Sequence, residues 1–254
     1  MKNTICAINM LLLFIFLIAL ASPVSATKRV PILLYHSIDE FQGHGSKELY
    51  VTPANFEKQM MYLRDHGFTL LTFERWEDIE TVSKPIFITF DDGYKNNLNA
   101  FTILEKMKSS TFQPTGTLFV IADFIGRSNR LSSSDLKRVV DSGIFSIQSH
   151  SSTHPELTKN QDYNYELKAS KEKIQQITGK PVIALAYPYG LFNDKVIQET
   201  KKYYLYGLTT ISEPYMKKGI QDERFLLPRI YVNHSTTMEE FVKIVEGNKF
   251  IKSN

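Results

Sequence analysis

The stretch Ile86-Phe87-Ile88-Thr89-Phe90-Asp91-Asp92-Gly93 is an apolar run that ends abruptly at two adjacent carboxylates. A run of this composition and length predicts a strand buried on both faces. Two neighbouring carboxylates at its end raise one another's pKa and destabilise the fold unless a cation or a proton separates their roles. The stretch therefore predicts a parallel sheet with a divalent-metal site at the carboxyl end of one strand.

On either side of this stretch, short apolar runs alternate with amphipathic segments, as expected for parallel strands joined by crossover helices. We predict an α/β fold, a distorted (β/α) barrel of seven or eight parallel strands in one domain. Trp76, the only tryptophan, is expected to pack in the core rather than stack on a bound ligand. Helices are predicted to begin at Thr52, at Ser132 or Ser133, and near 163 and 237. The predicted strands are 30–35, 69–71, 86–90, 116–121, 144–148, 182–186, 204–209 and 229–232.

Chemically useful side chains follow four of the predicted strands at their carboxyl ends. In α/β barrels that end of the sheet carries the active site. One such placement is weak evidence, whereas four together indicate a catalytic cleft. The residues concerned are His36, the Asp91-Asp92 pair, His150 and the segment 187–190.

His150 and His154 have a spacing that brings two imidazoles together on a helix turn or in a tight loop. Alone, this spacing also fits two hydrogen-bonded surface histidines. Together with one carboxylate, the two histidines form a ligand set that is typical of Zn²⁺ sites and also suits Co²⁺, Ni²⁺ or Fe²⁺. Side chains of Asp91 and Asp92 point to opposite sides of an extended strand, so both face the metal only if the chain bends, which Gly93 allows.

One carboxylate of the pair is expected to bind the metal while the other remains free as a base. A base beside a metal-bound water generates hydroxide near neutral pH, and attack on an amide or ester carbonyl gives an oxyanion. A leaving amine still requires an acid. His36 is the candidate because it ends another strand; a histidine bonded within a loop is the alternative.

The segments 89–93 (TFDDG) and 149–154 (SHxxxH) resemble the first two motifs of the NodB-type polysaccharide deacetylases. These are metal-dependent enzymes with a distorted (β/α) barrel that remove N-acetyl groups from amino-sugar polymers. The resemblance implies Asp91 as the catalytic base and Asp92, His150 and His154 as metal ligands. The segment 187–190 (YPYG) resembles the third motif, which implies that the backbone N–H of Tyr189 holds the oxyanion.

Two features depart from the usual family pattern. The third motif normally begins with an arginine that braces the catalytic aspartate, but Ala186 occupies that position. Arg229 is a candidate to brace the aspartate in place of that arginine. The alternative interpretation is that Arg229 lies on the surface. The segment 34–38 (LYHSI) resembles the branch acting on poly-β-1,6-N-acetylglucosamine, the staphylococcal-type intercellular-adhesin deacetylases, whose acid comes from the N-terminal strand. Most members of the family take this acid from a late Leu-x-His-like motif, for which His234 is the only late candidate here; His36 is preferred to His234.

The resemblance implies that the chain removes N-acetyl groups from extracellular poly-β-1,6-N-acetyl-D-glucosamine and releases acetate. Deacetylation of peptidoglycan or of chitin-like oligomers is an alternative with the same chemistry. A non-catalytic carbohydrate-binding protein is a third reading, and it is disfavoured because the base and all three ligands are present.

The N-terminus predicts export from the cell. Lys2, an apolar block at 10–21 and a small-residue ending at 22–26 form a secretory signal peptide over residues 1–26, which leaves 27–254 as the deacetylase domain. An uncleaved membrane anchor is the alternative. We expect a secreted monomer at the cell surface or wall, with peripheral attachment to wall or membrane left open. The net charge of only +3 argues against nucleic acid as a partner.

Overall fold

The computed structural model of the chain describes residues 28–247, so the predicted signal peptide at 1–26 lies outside the described residues. Strands and helices alternate along this part of the chain. The strands are β1 (Ile32–Tyr35), β2 (Ser37–Ile38), β3 (Tyr50–Val51), β4 (Thr69–Leu71), β5 (Pro85–Phe90), β6 (Gly116–Val120), β7 (Phe145–Ser149), β8 (Ala184–Ala186), β9 (Tyr206–Leu208) and β10 (Ile230–Tyr231). The α-helices are α1 (Pro53–Asp65), α2 (Asn97–Met107), α3 (Ser133–Asp141), α4 (Ser170–Thr178), α5 (Asp194–Lys201) and α6 (Met238–Glu246).

Eight parallel strands form one sheet in the order β10-β1-β5-β6-β7-β8-β9, with β4 also paired to β5. β4 lies beside the first half of β5 and β6 beside its second half, on the same edge. The sheet curls until Leu208 of β9 forms a parallel bridge with Leu227, just before β10. The predicted α/β barrel architecture is confirmed, and β2 and β3 form a separate small pair.

All eight predicted strands belong to this sheet, although most are shorter than predicted. β9, for example, covers Tyr206–Leu208 of the predicted 204–209. The predicted helix starts are also found: Thr52 accepts a hydrogen bond from the amide of Asn55, and capping boxes begin α3 and α6. The segment predicted as one helix from about 163 begins instead with a π-helical turn, Asn164–Ala169, that runs into α4.

β5 separates two apolar cores because its side chains alternate between the faces of the sheet. Ile88 and Phe90 pack outward against the helices, whereas Phe87 points into the barrel. Trp76 is 3% exposed and packs against Phe87 and Tyr206 inside the barrel, with ring centroids 5.5 and 5.2 Å away. Aromatic and aliphatic side chains therefore fill much of the barrel interior, and the chemically useful groups lie towards the carboxyl ends of the strands.

No helix within residues 28–247 combines the length and apolar character needed to cross a bilayer.

Candidate active site

The chain bends sharply at the end of β5, and the bend turns both carboxylates towards one cleft. Asp92 (φ 71°) and Gly93 (φ 64°) both have left-handed backbone conformations. The sequence predicts this bend at Gly93. In the structure both Asp92 and Gly93 contribute to it. A non-glycine residue in that region costs roughly 1–3 kcal/mol. A Cβ on Gly93 would lie 2.9 Å from Val120 Cγ1, so only glycine fits there without displacement.

The loop after β7 presents the two predicted histidine ligands, in a tight loop rather than on a helix. Ser151 (φ 65°) and His154 (φ 63°) both have left-handed backbones, and the Ser151 hydroxyl accepts a hydrogen bond from the His154 amide at 2.9 Å. His150 Nδ1 lies 2.8 Å from the carbonyl oxygen of Ala186. Because a carbonyl only accepts, Nδ1 carries the hydrogen and the lone pair of Nε2 is free to bind a metal.

Asp92, His150 and His154 bring three ligand atoms together. Asp92 Oδ1 lies 3.7 Å from His150 Nε2 and 3.8 Å from His154 Nε2, and the two Nε2 atoms are 3.1 Å apart. Ligand atoms about 2.0–2.1 Å from a tetrahedral Zn²⁺ are separated by roughly 3.3 Å. The three predicted ligands therefore fit a small divalent cation.

The protonation state of His154 also fits a metal ligand. Burial and the neighbouring His150 lower the pKa of His154 to about 4, although Asp92 and Asp91 act in the opposite direction. At neutral pH the imidazole of His154 is therefore uncharged, and neutral imidazole is the form that binds metals.

Asp91 forms a buried ion pair with Arg229. Arg229 Nη1 donates to Asp91 Oδ1 at 2.7 Å and Nη2 to Oδ2 at 2.8 Å, and Arg229 is 0% exposed. Its Nε donates to the carbonyl oxygen of Thr209 at 3.0 Å. The structure therefore supports the interpretation that Arg229 braces Asp91 in place of the arginine that is absent at position 186. It excludes the interpretation that Arg229 is a surface residue.

The ion pair determines the charge of Asp91. Burial acts most strongly and raises the pKa of Asp91, but the charge and hydrogen bonds of Arg229, together with His150 and His36, lower that pKa to about 2. Asp91 is therefore ionised throughout the neutral range. Its Oδ2 lies 3.7 Å from His150 Nε2, beside the ligand cluster, where an ionised carboxylate can accept a proton from a water.

His36 lines the same cleft as Asp91, Asp92, His150 and His154. Burial lowers the pKa of His36, while Asp91 and Asp92 act to raise it. The backbone carbonyl of His36 accepts a hydrogen bond from Asn97 at 2.6 Å, and its ring packs edge-on against Tyr231. His234 lies in the turn after β10 and is not among the residues that line the cleft.

Tyr189 borders the cleft on the side of β8. Its backbone has φ 59°, the residue is 61% exposed, and its ring lies edge-on to His154 with centroids 4.5 Å apart. The next residue, Gly190, packs closely against Thr210. A Cβ on Gly190 would lie 2.1 Å from the hydroxyl oxygen of Thr210. The structure thus brings all six predicted site residues to one cleft.

Three contributions to the site were not predicted. Ala186 acts through its backbone carbonyl, which no side chain reveals in a sequence. Asn97 holds the His36 backbone from the first position of α2, a helix that the sequence analysis did not predict. Glu166 is a buried carboxylate bonded to the loop that carries His150 and His154, and only its place in the fold reveals this.

The chain matches a protein family and is similar to known proteins, among them three deacetylases. A model of the polysaccharide deacetylase family matches residues 78–208. The crystal structure of a polysaccharide deacetylase from Bacillus cereus is 52% identical, with a TM-score of 0.85 over 86% of this chain and 69% of that one. The poly-β-1,6-N-acetyl-D-glucosamine N-deacetylase of Staphylococcus epidermidis is 27% identical over 226 residues, which are 80% of this chain and 75% of the relative. The peptidoglycan-N-acetylmuramic acid deacetylase PdaA of Bacillus subtilis is 37% identical over 125 residues, covering 48% of this chain and 44% of PdaA.

Proposed function

Because the chain belongs to the polysaccharide deacetylase family and is an amide hydrolase, we propose that it deacetylates extracellular poly-β-1,6-N-acetyl-D-glucosamine. The products are acetate and a polymer with free amines. The observation that supports this proposal most strongly is the convergence of an ionised, arginine-braced Asp91 and a three-ligand cluster on one cleft.

Asp91 acts as the base in the proposed reaction. It takes a proton from a water whose oxygen attacks the acetyl carbonyl carbon, and Arg229 keeps its carboxylate ionised and fixed while the proton is transferred. The backbone N–H of Tyr189 is the proposed donor to the resulting oxyanion.

His36 acts as the acid in the second half of the reaction. When the carbon–nitrogen bond breaks, the leaving amine nitrogen requires a proton. The lowered pKa of His36 makes its imidazolium a strong donor to an amine, which is a far stronger base.

Asp92, His150 and His154 are the residues that would hold a divalent cation, for which we propose Zn²⁺. When bound, such an ion supplies Lewis-acid activation of a water and of the carbonyl oxygen. Asp92 provides charge to the site, and the Ala186 carbonyl fixes the tautomer of His150.

The choice of the β-1,6-linked polymer rests on two observations. His36 follows β1, the strand position that supplies the acid in the family branch acting on that polymer. The Staphylococcus epidermidis relative, named for activity on that polymer, aligns with 80% of the chain. Peptidoglycan is the second candidate, favoured by the higher identity to PdaA over a shorter segment.

Acetate release from defined substrates tests the proposal. Purified protein supplied with Zn²⁺ is offered β-1,6-linked N-acetylglucosamine oligomers, β-1,4-linked oligomers of the same length, and muramic-acid-containing peptidoglycan. The proposal predicts the highest kcat/KM for the β-1,6 series. Preference for either of the other substrates would assign the chain to a different branch of the family.

We also propose that the enzyme works outside the cell, at its surface or wall. The predicted signal peptide and the size of a polymer that accumulates extracellularly support this location. Detection of the protein, by antibody, in washed wall and culture-supernatant fractions tests it. Retention of the protein in the cytosol would contradict it.

A further inference from the structure

Glu166 is a buried carboxylate at the rear of the ligand-bearing loop. It is 2% exposed, and a charged group so deeply buried is costly unless its oxygens are hydrogen-bonded. Glu166 Oε2 accepts from the amides of Ser152 and Thr153 at 3.0 and 2.9 Å, and Oε1 accepts from the Thr153 hydroxyl at 2.6 Å. Within residues 28–247, the Glu166 carboxylate is hydrogen-bonded only to Ser152 and Thr153, the two residues that precede His154.

The segment that Glu166 contacts is one that would not hold its shape unaided. Ser151 and His154 both have left-handed backbones at non-glycine residues, each costing roughly 1–3 kcal/mol. Charge-assisted hydrogen bonds from a carboxylate to backbone amides are stronger than neutral ones and can offset this strain. The three bonds to Glu166 fix the two peptides between the strained residues, and thus the position of His154 relative to His150.

The π-helical turn Asn164–Ala169 brings more than the Glu166 side chain to the loop. The Glu166 carbonyl oxygen also lies 3.1 Å from the Ser152 amide, and the Ser152 hydroxyl donates to the carbonyl of Tyr165 at 2.7 Å. Single π-helical turns are rare and occur frequently at functional sites. The irregular turn ahead of α4 thus contacts the loop through its backbone as well as through the Glu166 side chain.

From these contacts we propose that Glu166 is a positioning residue that holds the 150–154 loop in its metal-binding conformation. The inference rests on the proposed metal site of Asp92, His150 and His154. Groups that orient metal ligands from behind typically change metal affinity about 10–100-fold when removed. The proposed role requires hydrogen-bond acceptors at this position, so a neutral acceptor of the same shape should retain most, though not all, of it.

Metal affinity of a matched series of variants tests the inference. Zn²⁺ affinity is measured by competition with a chromophoric chelator in the wild type, Glu166→Ala, Glu166→Gln, Thr153→Val and Glu172→Ala. Glu172 lies on α4 and its side chain is 62% exposed, so its variant is the control. Glu166→Ala should weaken affinity about 10–100-fold. Glu166→Gln, whose amide oxygen can accept both backbone bonds, should restore most of it, and Thr153→Val should fall between them.

Hydrogen exchange in the metal-free protein provides a readout independent of turnover. Faster exchange at the amides of Ser152 and Thr153 in Glu166→Ala, with α4 unchanged, is the expected result. Wild-type affinity in Glu166→Ala would overturn the inference, as would equal losses in the Ala and Gln variants with unchanged exchange. If Glu166→Ala does not fold, Thr153→Val decides: reduced affinity supports the inference and wild-type affinity overturns it. A wild type that binds no Zn²⁺ would instead refute the proposed metal site itself.

Discussion

Both carboxylate oxygens of Asp91 accept hydrogen bonds from the guanidinium of Arg229, at 2.7 and 2.8 Å, inside the barrel. The two residues are 138 positions apart, and β10 and β5 bring them together on either side of β1. The pairing connects the residue that precedes β10 to the proposed base, so we expect stability and the proposed catalysis to depend on the same contact.

Arg229→Met should destabilise the protein strongly. It leaves Asp91 buried without its partner, a change that typically costs about 3–5 kcal/mol. Urea unfolding at pH 7 measures the loss. Arg224→Met is the matched control, because Arg224 and Glu77 form an ion pair with side chains 52% and 75% exposed. Such a pair contributes at most about 1 kcal/mol. Equal effects of the two variants would contradict a stabilising role for the buried pair.

Arg229→Met should also change how the free energy of unfolding depends on pH. The folded pKa of Asp91, about 2, lies below its ordinary value of 3.8, so the pair's contribution is present above pH 3.8. It is lost as the pH falls from 3.8 through about 2, where the carboxylate becomes protonated in the folded state as well. The stability difference between wild type and Arg229→Met should therefore shrink as the pH falls to about 2, and the decrease should begin above pH 3.8 because burial without the cation raises the pKa of Asp91 in the variant. A difference that stays constant down to pH 2 would show that Asp91 is not the group involved.

His36→Gln should slow acetate release by about 10²–10⁴-fold, the usual loss when a general acid is removed. Its metal content should stay at the wild-type level, because His36 is not one of the three clustered ligands. His234→Gln is the matched control and should retain wild-type activity. The opposite ranking of the two variants would move the acid role to His234.

The pH profile gives a second test of His36. Burial lowers its pKa below the ordinary 6.5. Because an acid must carry its proton, kcat/KM should decline as the pH rises through a value below 6.5, and His36→Gln should abolish that dependence. Persistence of the decline in the variant would assign it to another group.

Removal of a metal ligand should remove the metal and the activity together. His150→Ala and His154→Ala are expected to show no bound Zn²⁺ by elemental analysis, whereas His66→Ala should bind it normally. His66 serves as the control because its ring stacks on Tyr62 at the end of α1. Since a ligand of the folded state raises stability, a chelator should lower the Tm of the wild type but not of His150→Ala. A chelator effect of equal size in both would place the metal elsewhere.

The parts of the site that the sequence predicted are those with a side-chain signal next to a strand. The Asp91-Asp92 pair and His150 follow apolar runs, and the parallel sheet brings such strand ends together. Arg229 remained ambiguous in the sequence because its partner is 138 positions away and nothing local distinguishes a buried arginine from a surface one.

Other parts of the site and fold leave no recognisable pattern in the sequence. The carbonyl of Ala186 belongs to the backbone. Glu166 lies in a segment predicted as a regular helix, and its contacts with the 150–154 loop exist only in the folded chain. The helix α2 begins without a side-chain cap at Asn96. Tertiary packing, which buries Phe101 and Leu104 against the sheet, stabilises that helix instead.

The most direct test compares Asp91→Asn with Asp92→Asn, two neighbouring isosteric changes, for bound Zn²⁺ and for the rate of acetate release. Asp91→Asn should bind Zn²⁺ as the wild type does and lose about 10²–10⁴-fold in rate, because the base is removed while the three ligands remain. Asp92→Asn should lose both the metal and the rate. Most of the wild-type rate in Asp91→Asn, or wild-type Zn²⁺ affinity in Asp92→Asn, would contradict the division of roles between the two carboxylates.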